Sequence, residues 1–148
     1  MGQQVKLLHS VHRSGLDGVL KTGLRASSAF ASLSLEMRRG VVYCWLRKED
    51  DKMSSGGERP DHIYLEVTVD QDCCLVADMD LISAAMMYHQ DSGGKPRNPE
   101  ASRLLAEAYQ ATSVPLREYQ PGMFFTPEVL VKGDIAPDCI KVISDESR

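Results

Sequence analysis

The stretch FFTPEVLVKGDIAPDCIKV, residues 124–142, constrains this chain most, because it places a carboxylate at the mouth of an otherwise apolar strand. Val129, Leu130 and Val131 form a short run rich in β-branched residues. Lys132-Gly133-Asp134 punctuates it, and Cys139-Ile140-Lys141-Val142-Ile143 then alternates with period two. The pattern predicts two strands joined by a tight turn. Glu128 thus enters a buried strand directly after Pro127. A carboxylate there is either solvated at the sheet's rim or held for a purpose, since a buried charge without a partner is costly.

The rest of the chain supplies further strands and helices in mixed order. Val5 to His9 reads as a first strand closing on a histidine, and Ser14 with Asp17 resembles a capping box for a short helix that Gly23 stops. In ASSAFASLSLEMRR, Phe30, Leu33 and Met37 recur at helical spacing and predict a second helix. Val41 to Leu46 is the clearest strand of the first half, with Val41, Tyr43 and Trp45 on one face. The polar stretch 47–61 reads as an exposed loop, His62 to Val69 as a strand, and Leu75-Val76 as another. Asp78 or Asp80 caps a helix with Leu81, Ala84, Ala85 and Tyr88 inward. Asn98-Pro99 opens the next, with Ala101, Leu104, Leu105 and Ala108 inward. This order predicts an α+β fold with a mainly antiparallel sheet.

At 148 residues, 43% hydrophobic and 26% charged, the chain suits one domain over 1–144 with a polar tail at 145–148. A net charge of −4 argues against a surface coated for nucleic acid; any such contact would use a local cluster. No run approaches the eighteen apolar residues of a membrane span, so the expectation is a soluble, cytoplasmic protein without membrane contact. Cys44, Cys73, Cys74 and Cys139 lack a C-x-x-C spacing and read as reduced core residues, with no metal site expected. Neither G-x-G-x-x-G nor G-x-x-x-x-G-K-[ST] occurs, which removes support for Rossmann or P-loop chemistry.

Two segments carry a resemblance. LLHSVHRSGLDGVLKTGLRAS resembles the first motif of the ADP-ribosyltransferase superfamily, in which a strand ends in histidine and a short helix leads to a Gly-Leu pair. FFTPEVLVKGDIAPDCIKVI resembles the last motif of the DarT-like toxins of that superfamily, where the catalytic glutamate precedes a short apolar strand. The resemblance covers residues 5–26 and 123–143, extends less closely to 41–47 and 62–80, and does not include the two central helices. It implies an ADP-ribosyltransferase-like split antiparallel sheet flanked by helices, and NAD as substrate.

The same resemblance implies roles for particular residues. His9 would orient the adenosine ribose of NAD, Ser10 and His12 would join it in binding, and Tyr43 would flank the nicotinamide. Glu128 would hold a hydroxyl of the nicotinamide ribose, support the positive charge that develops as nicotinamide leaves, and could deprotonate the acceptor. DarT-like enzymes also need an arginine. Among Arg38, Arg39 and Arg47, Arg47 is the choice because it follows the Tyr43 strand. Against these stand plainer readings: His9 bonded to backbone at a sheet rim, His12 exposed at a helix entry, Tyr43 in the core.

The acceptor would be a nucleic-acid base or a protein side chain. The toxin resemblance also raises an antitoxin partner. Arg47, Lys48, Lys52 and Arg59 in the loop, and Lys95 and Arg97 in the turn Gly93–Arg97, are candidates for contacting an acceptor's phosphates or are simply solvated. Two alternatives share the fold: an RNA 2′-phosphotransferase, which needs a basic set this chain matches poorly, and a catalytically silent binding domain. The last gains if Glu128 pairs with a surface lysine such as Lys132 rather than facing a cleft shared with His9.

Overall fold

Most alternating segments become strands, but several run further than their local signal and one expected hairpin does not form. A computed structural model describes residues 2–28, 32–51 and 61–143. Its strands are β1 (Gln4–His12), β2 (Val41–Cys44), β3 (His62–Asp70), β4 (Cys74–Asp78), β5 (Val114–Pro115), β6 (Pro127–Lys132) and β7 (Ile140–Val142). The α-helices are α1 (Leu16–Thr22), α2 (Met79–His89) and α3 (Pro99–Thr112). The strands form two antiparallel sheets, ordered β1-β3-β7 and β2-β6-β4-β5, so the chain is an α+β fold with a split antiparallel sheet.

The sheets face each other across one core. Leu7, Val67 and Val69 from the first meet Val42, Cys44, Cys74, Val76, Val129 and Val131 from the second. β3 alternates buried and half-buried along its whole length, as a strand with one covered face should. β6 is buried from Pro127 to Val131 because both of its faces are covered. One faces the first sheet; on the other, Ala77, Ile82 and Tyr109 form a second cluster with the helices.

The hairpin expected between β6 and β7 is absent. β6 pairs with β2 and β4, whereas β7 pairs with β3 in the other sheet. Gly133, at φ 89, turns the chain, and Ile135 then exchanges backbone hydrogen bonds with Leu24 at 2.8 and 2.9 Å before β7 begins. Period-two patterning marks a strand but not its neighbour, and here both neighbours of β6 come from distant sequence.

Other boundaries move for local reasons. β1 continues past His9 to His12 because β3 supplies partners throughout, from Gln4↔Asp70 to His12↔His62. β2 ends at Cys44, and Trp45 instead bridges Leu8 of β1, tying the two sheets together. No capping box forms at Ser14: a 3-10 turn spans Arg13–Gly15, and its cap is the His12 side chain, which accepts from the Ser14 amide.

The helix expected between 26 and 39 is replaced, among its described residues, by a bridge from Ser27 to Val41 and 3-10 turns at Ser32–Ser34 and Glu36–Arg38. Leu33 and Ser34 sit at φ 60 and 59. The serine-rich composition of this segment favours turns over helix interior. Phe30, Lys52, Arg59 and the tail 145–148 lie outside the described residues.

Both long helices start where their caps predicted, Asp78 on α2 and Asn98 with Pro99 on α3, but each is rotated about its axis. α2 buries Ile82 and Ala85 and leaves Tyr88 40% exposed; α3 buries Ser102, Ala106 and Tyr109 and leaves Leu104 52% exposed. Hydrogen bonds outrank apolarity here. The Ser102 hydroxyl donates to the Ala85 carbonyl at 2.7 Å, and Tyr109 has polar partners inside. The cysteines also divide, with Cys44 and Cys74 buried, Cys139 half-buried and Cys73 exposed.

Gly23 closes α1 at φ 87, and a Cβ there would lie 2.3 Å from the Ile135 carbonyl oxygen. Gly23→Ala should therefore destabilise the fold by about 1–3 kcal/mol, read as a lower urea midpoint. An unchanged midpoint would contradict the Leu24–Ile135 bridge as drawn.

Candidate active site

Glu128 is the second residue of β6, opposite Ala77 of β4, and is only 3% exposed. The pairing of β2 stops one residue short of it, at Cys44↔Val129, which leaves room beside the carboxylate. Alternation puts Glu128, Leu130 and Tyr43, which pairs with Leu130, on the face that meets the helices. The 3-10 turn Glu36–Arg38 delivers Arg38, 6% exposed, into the same space.

The Arg38 guanidinium organises this cluster. Its Nη1 donates to Glu128 Oε2 at 2.6 Å and to the Tyr109 hydroxyl oxygen at 2.8 Å. Tyr109, fully buried on α3, donates its own hydroxyl to the same Oε2 at 2.5 Å. The guanidinium carbon lies 4.7 Å above the Tyr43 ring and 5.6 Å from the Tyr109 ring. Among the described residues Glu128 Oε1 accepts no hydrogen bond.

Electrostatics follow from this geometry. Burial works against the charge of Arg38, but Glu128, Tyr109 and Tyr43 outweigh it, and the guanidinium pKa is raised. Burial raises the Tyr109 phenol, and the neighbouring Glu128 charge raises it further. Tyr43 is raised by burial against the opposing pull of Arg38. All three are thus held in their ordinary neutral-pH forms.

His9 reaches the cluster through the main chain. Its Nδ1 lies 2.7 Å from the Tyr43 carbonyl oxygen, which can only accept, so Nδ1 carries the proton and Nε2 is the acceptor of the neutral ring. Burial lowers the His9 pKa from 6.5, against the raising effects of the Tyr43 carbonyl and Asp51. His9, Tyr43 and Glu128 are therefore linked in series: imidazole to Tyr43 carbonyl, Tyr43 ring to Arg38, Arg38 to carboxylate.

The remaining expected residues lie elsewhere. Arg47 does not approach Glu128; its exposed guanidinium pairs with Asp50 at 2.8 Å, and the arginine on the carboxylate is Arg38. Spacing could not choose between them, because the turn that buries Arg38 has no sequence signature of its own. Arg39 pairs with Glu36, and Lys132 donates to the Arg39 carbonyl rather than to Glu128. Ser10 follows His9 directly and so points to the opposite face of β1, where its buried hydroxyl has no partner among the described residues. His12 sits at the end of β1, with Nδ1 accepting from the Ser14 amide and Nε2 2.7 Å from Asp61 Oδ2. The turn at 93–97 lies before α3, about 15 Å along the helix from Tyr109.

Two residues at the site had no place in the sequence reading. Tyr109 completes a stripe with Ser102 and Ala106 at helical spacing, a signal masked by the more apolar Leu104 and Leu105. Thr126 is 2% exposed and lies in the bend just before β6, two residues from Glu128, and its hydroxyl has no partner among the described residues. A groove of about 550 Å³ runs between Leu33, Leu35 and one side of α3, including Ser102, Arg103, Ala106 and Gln110. Its walls are the same two segments that carry Arg38 and Tyr109 inward.

Among the described residues no group of His, Cys, Asp or Glu could hold a metal ion, and no helix is long and apolar enough to cross a membrane. Burial pushes the Cys44 thiol up and the Cys74 thiol to about 12, which removes both as nucleophiles. No family model matches the chain, and no curated protein matches it.

Two outcomes test this geometry. Arg38→Met strands a buried carboxylate and should cost about 3–5 kcal/mol in urea denaturation at neutral pH, while Arg38→Met/Glu128→Gln should recover part of it. Additive losses would mean the two side chains are not coupled. For His9, the lowered folded-state pKa means that the unfolded chain binds the extra proton first as pH falls below 6.5, so stability drops in that window. His9→Asn, whose amide keeps a donor for Tyr43, should flatten that part of a melting-temperature profile between about pH 5 and 7.

Proposed function

We propose that this protein is an NAD-dependent ADP-ribosyltransferase that releases nicotinamide and modifies a nucleic-acid base or a protein side chain. The observation that carries the reading is the series His9–Tyr43–Arg38–Glu128, which joins both resembling motifs through Tyr43, a residue of neither. Glu128 pairs with a buried arginine, not with Lys132, and both of its donors among the described residues fall on Oε2.

These groups suit the chemistry. Breaking the nicotinamide–ribose bond develops positive charge on the sugar, and a fixed carboxylate stabilises that charge more than it stabilises the neutral ground state. Arg38 holds Glu128 in one orientation, which takes Arg38 rather than Arg47 into the transfer role. The acceptor nitrogen of His9 offers a further hydrogen-bonding atom for a ribose hydroxyl. Phe125, 80% exposed three residues before Glu128, supplies a flat apolar surface on which an acceptor can rest.

A second reading, a silent binding domain, draws on the near-complete burial of Glu128 and its neutralisation by Arg38. Nicotinamide release from NAD, with and without single-stranded DNA, RNA or cell lysate, separates the two. The transferase should turn over, lose at least about a hundredfold in Glu128→Gln, and accelerate with one class of acceptor. Absence of both release and NAD binding would leave the binding domain.

A further inference from the structure

Tyr109 is a fully buried titratable group to which the transfer chemistry above gives no part. It lies on α3, outside either resembling motif, and touches the carboxylate on which that chemistry turns. Direction is imposed on its hydrogen bonds. Arg38 Nη1 donates to the phenol oxygen at 2.8 Å, and Nη1 also donates to Glu128 Oε2, so the phenol proton is directed at that same oxygen. Two donors from elements distant in the chain thus converge on one oxygen of a carboxylate whose other oxygen accepts no hydrogen bond among the described residues.

We propose that Tyr109 is a positioning residue that divides the labour of Glu128, tying Oε2 to the scaffold so that Oε1 alone meets the substrate hydroxyl. The substrate clause rests on the transferase reading; the division of the carboxylate does not. A carboxylate with one anchored oxygen cannot rotate its charge away from the reacting centre. The donor comes from α3, and one wall of the 550 Å³ groove is that helix, so the state of Glu128 depends on how α3 is seated.

The test is Tyr109→Phe, which keeps the ring and removes one donor. In nicotinamide release kcat should fall about tenfold to a hundredfold, while KM for NAD stays within about threefold. Independently of activity, the ¹³C resonance of Glu128 in carboxyl-labelled protein, assigned by its loss in Glu128→Gln, should shift at neutral pH in Tyr109→Phe, because Oε2 has lost one of its two donors. Tyr109→3-fluorotyrosine, which preserves packing and strengthens the donor, should shift it the other way and covers the case in which the Phe variant does not fold.

A Glu128 resonance indifferent to both substitutions would overturn the proposal, as would a merely thermal defect with kcat unchanged. If the parent protein releases no nicotinamide, the transferase reading fails and the carboxylate resonance alone decides the role of Tyr109.

Discussion

The buried contact between Arg38 and Glu128 is the constraint around which the helix side of this protein is arranged. Removing a guanidinium and a carboxylate from water is expensive, and mutual attraction offsets that cost only when the remaining donors and acceptors are also satisfied. Here Tyr109 bonds both members and Tyr43 lies beneath the guanidinium. Apolar residues of similar volume would serve stability about as well.

That arrangement depends on β6 being central. With β2 and β4 on either side, its backbone is satisfied and its side chains are covered on both faces, so Glu128 has little freedom. β2 pairs with β6 only as far as Val129, and the 3-10 turn before β2 brings Arg38 to Glu128. The bridge between Leu8 and Trp45 then brings β1 alongside, and His9 reaches the Tyr43 carbonyl. The rigid sheet supplies the carboxylate and the imidazole; a 3-10 turn and a helix supply the groups that hold the carboxylate.

Much of this is legible in the residues. Glu128 stands out because a charge directly before a valine-rich run needs either the solvated rim of a sheet or a partner inside it. His9 and Tyr43 stand out as polar groups in apolar strands, and they do come together, although through Tyr43's main chain rather than its ring. Nearness in sequence to Tyr43 favours Arg47, yet Asp50 holds it at the surface. Ser10 and His12 adjoin His9 in sequence, but alternation sends Ser10 to the other face and His12 serves as a cap. Tyr109 leaves no such mark, because apolarity ranks Leu104 and Leu105 above a tyrosine whose hydroxyl must find partners.

Local chemistry determined what the sequence alone could settle: short β-branched runs had to be strands, Asp78, Asn98 and Pro99 had to start helices, and Gly23 had to end one. These follow from backbone sterics and capping, which act within a few residues. Only the tertiary structure decided that β6 and β7 part company into different sheets, that α3 turns Tyr109 inward, and that Arg38 is the arginine beside Glu128. Each of those choices is fixed by partners as many as ninety positions apart in the chain, the separation of Arg38 from Glu128, and a local pattern carries no information about a partner at that distance.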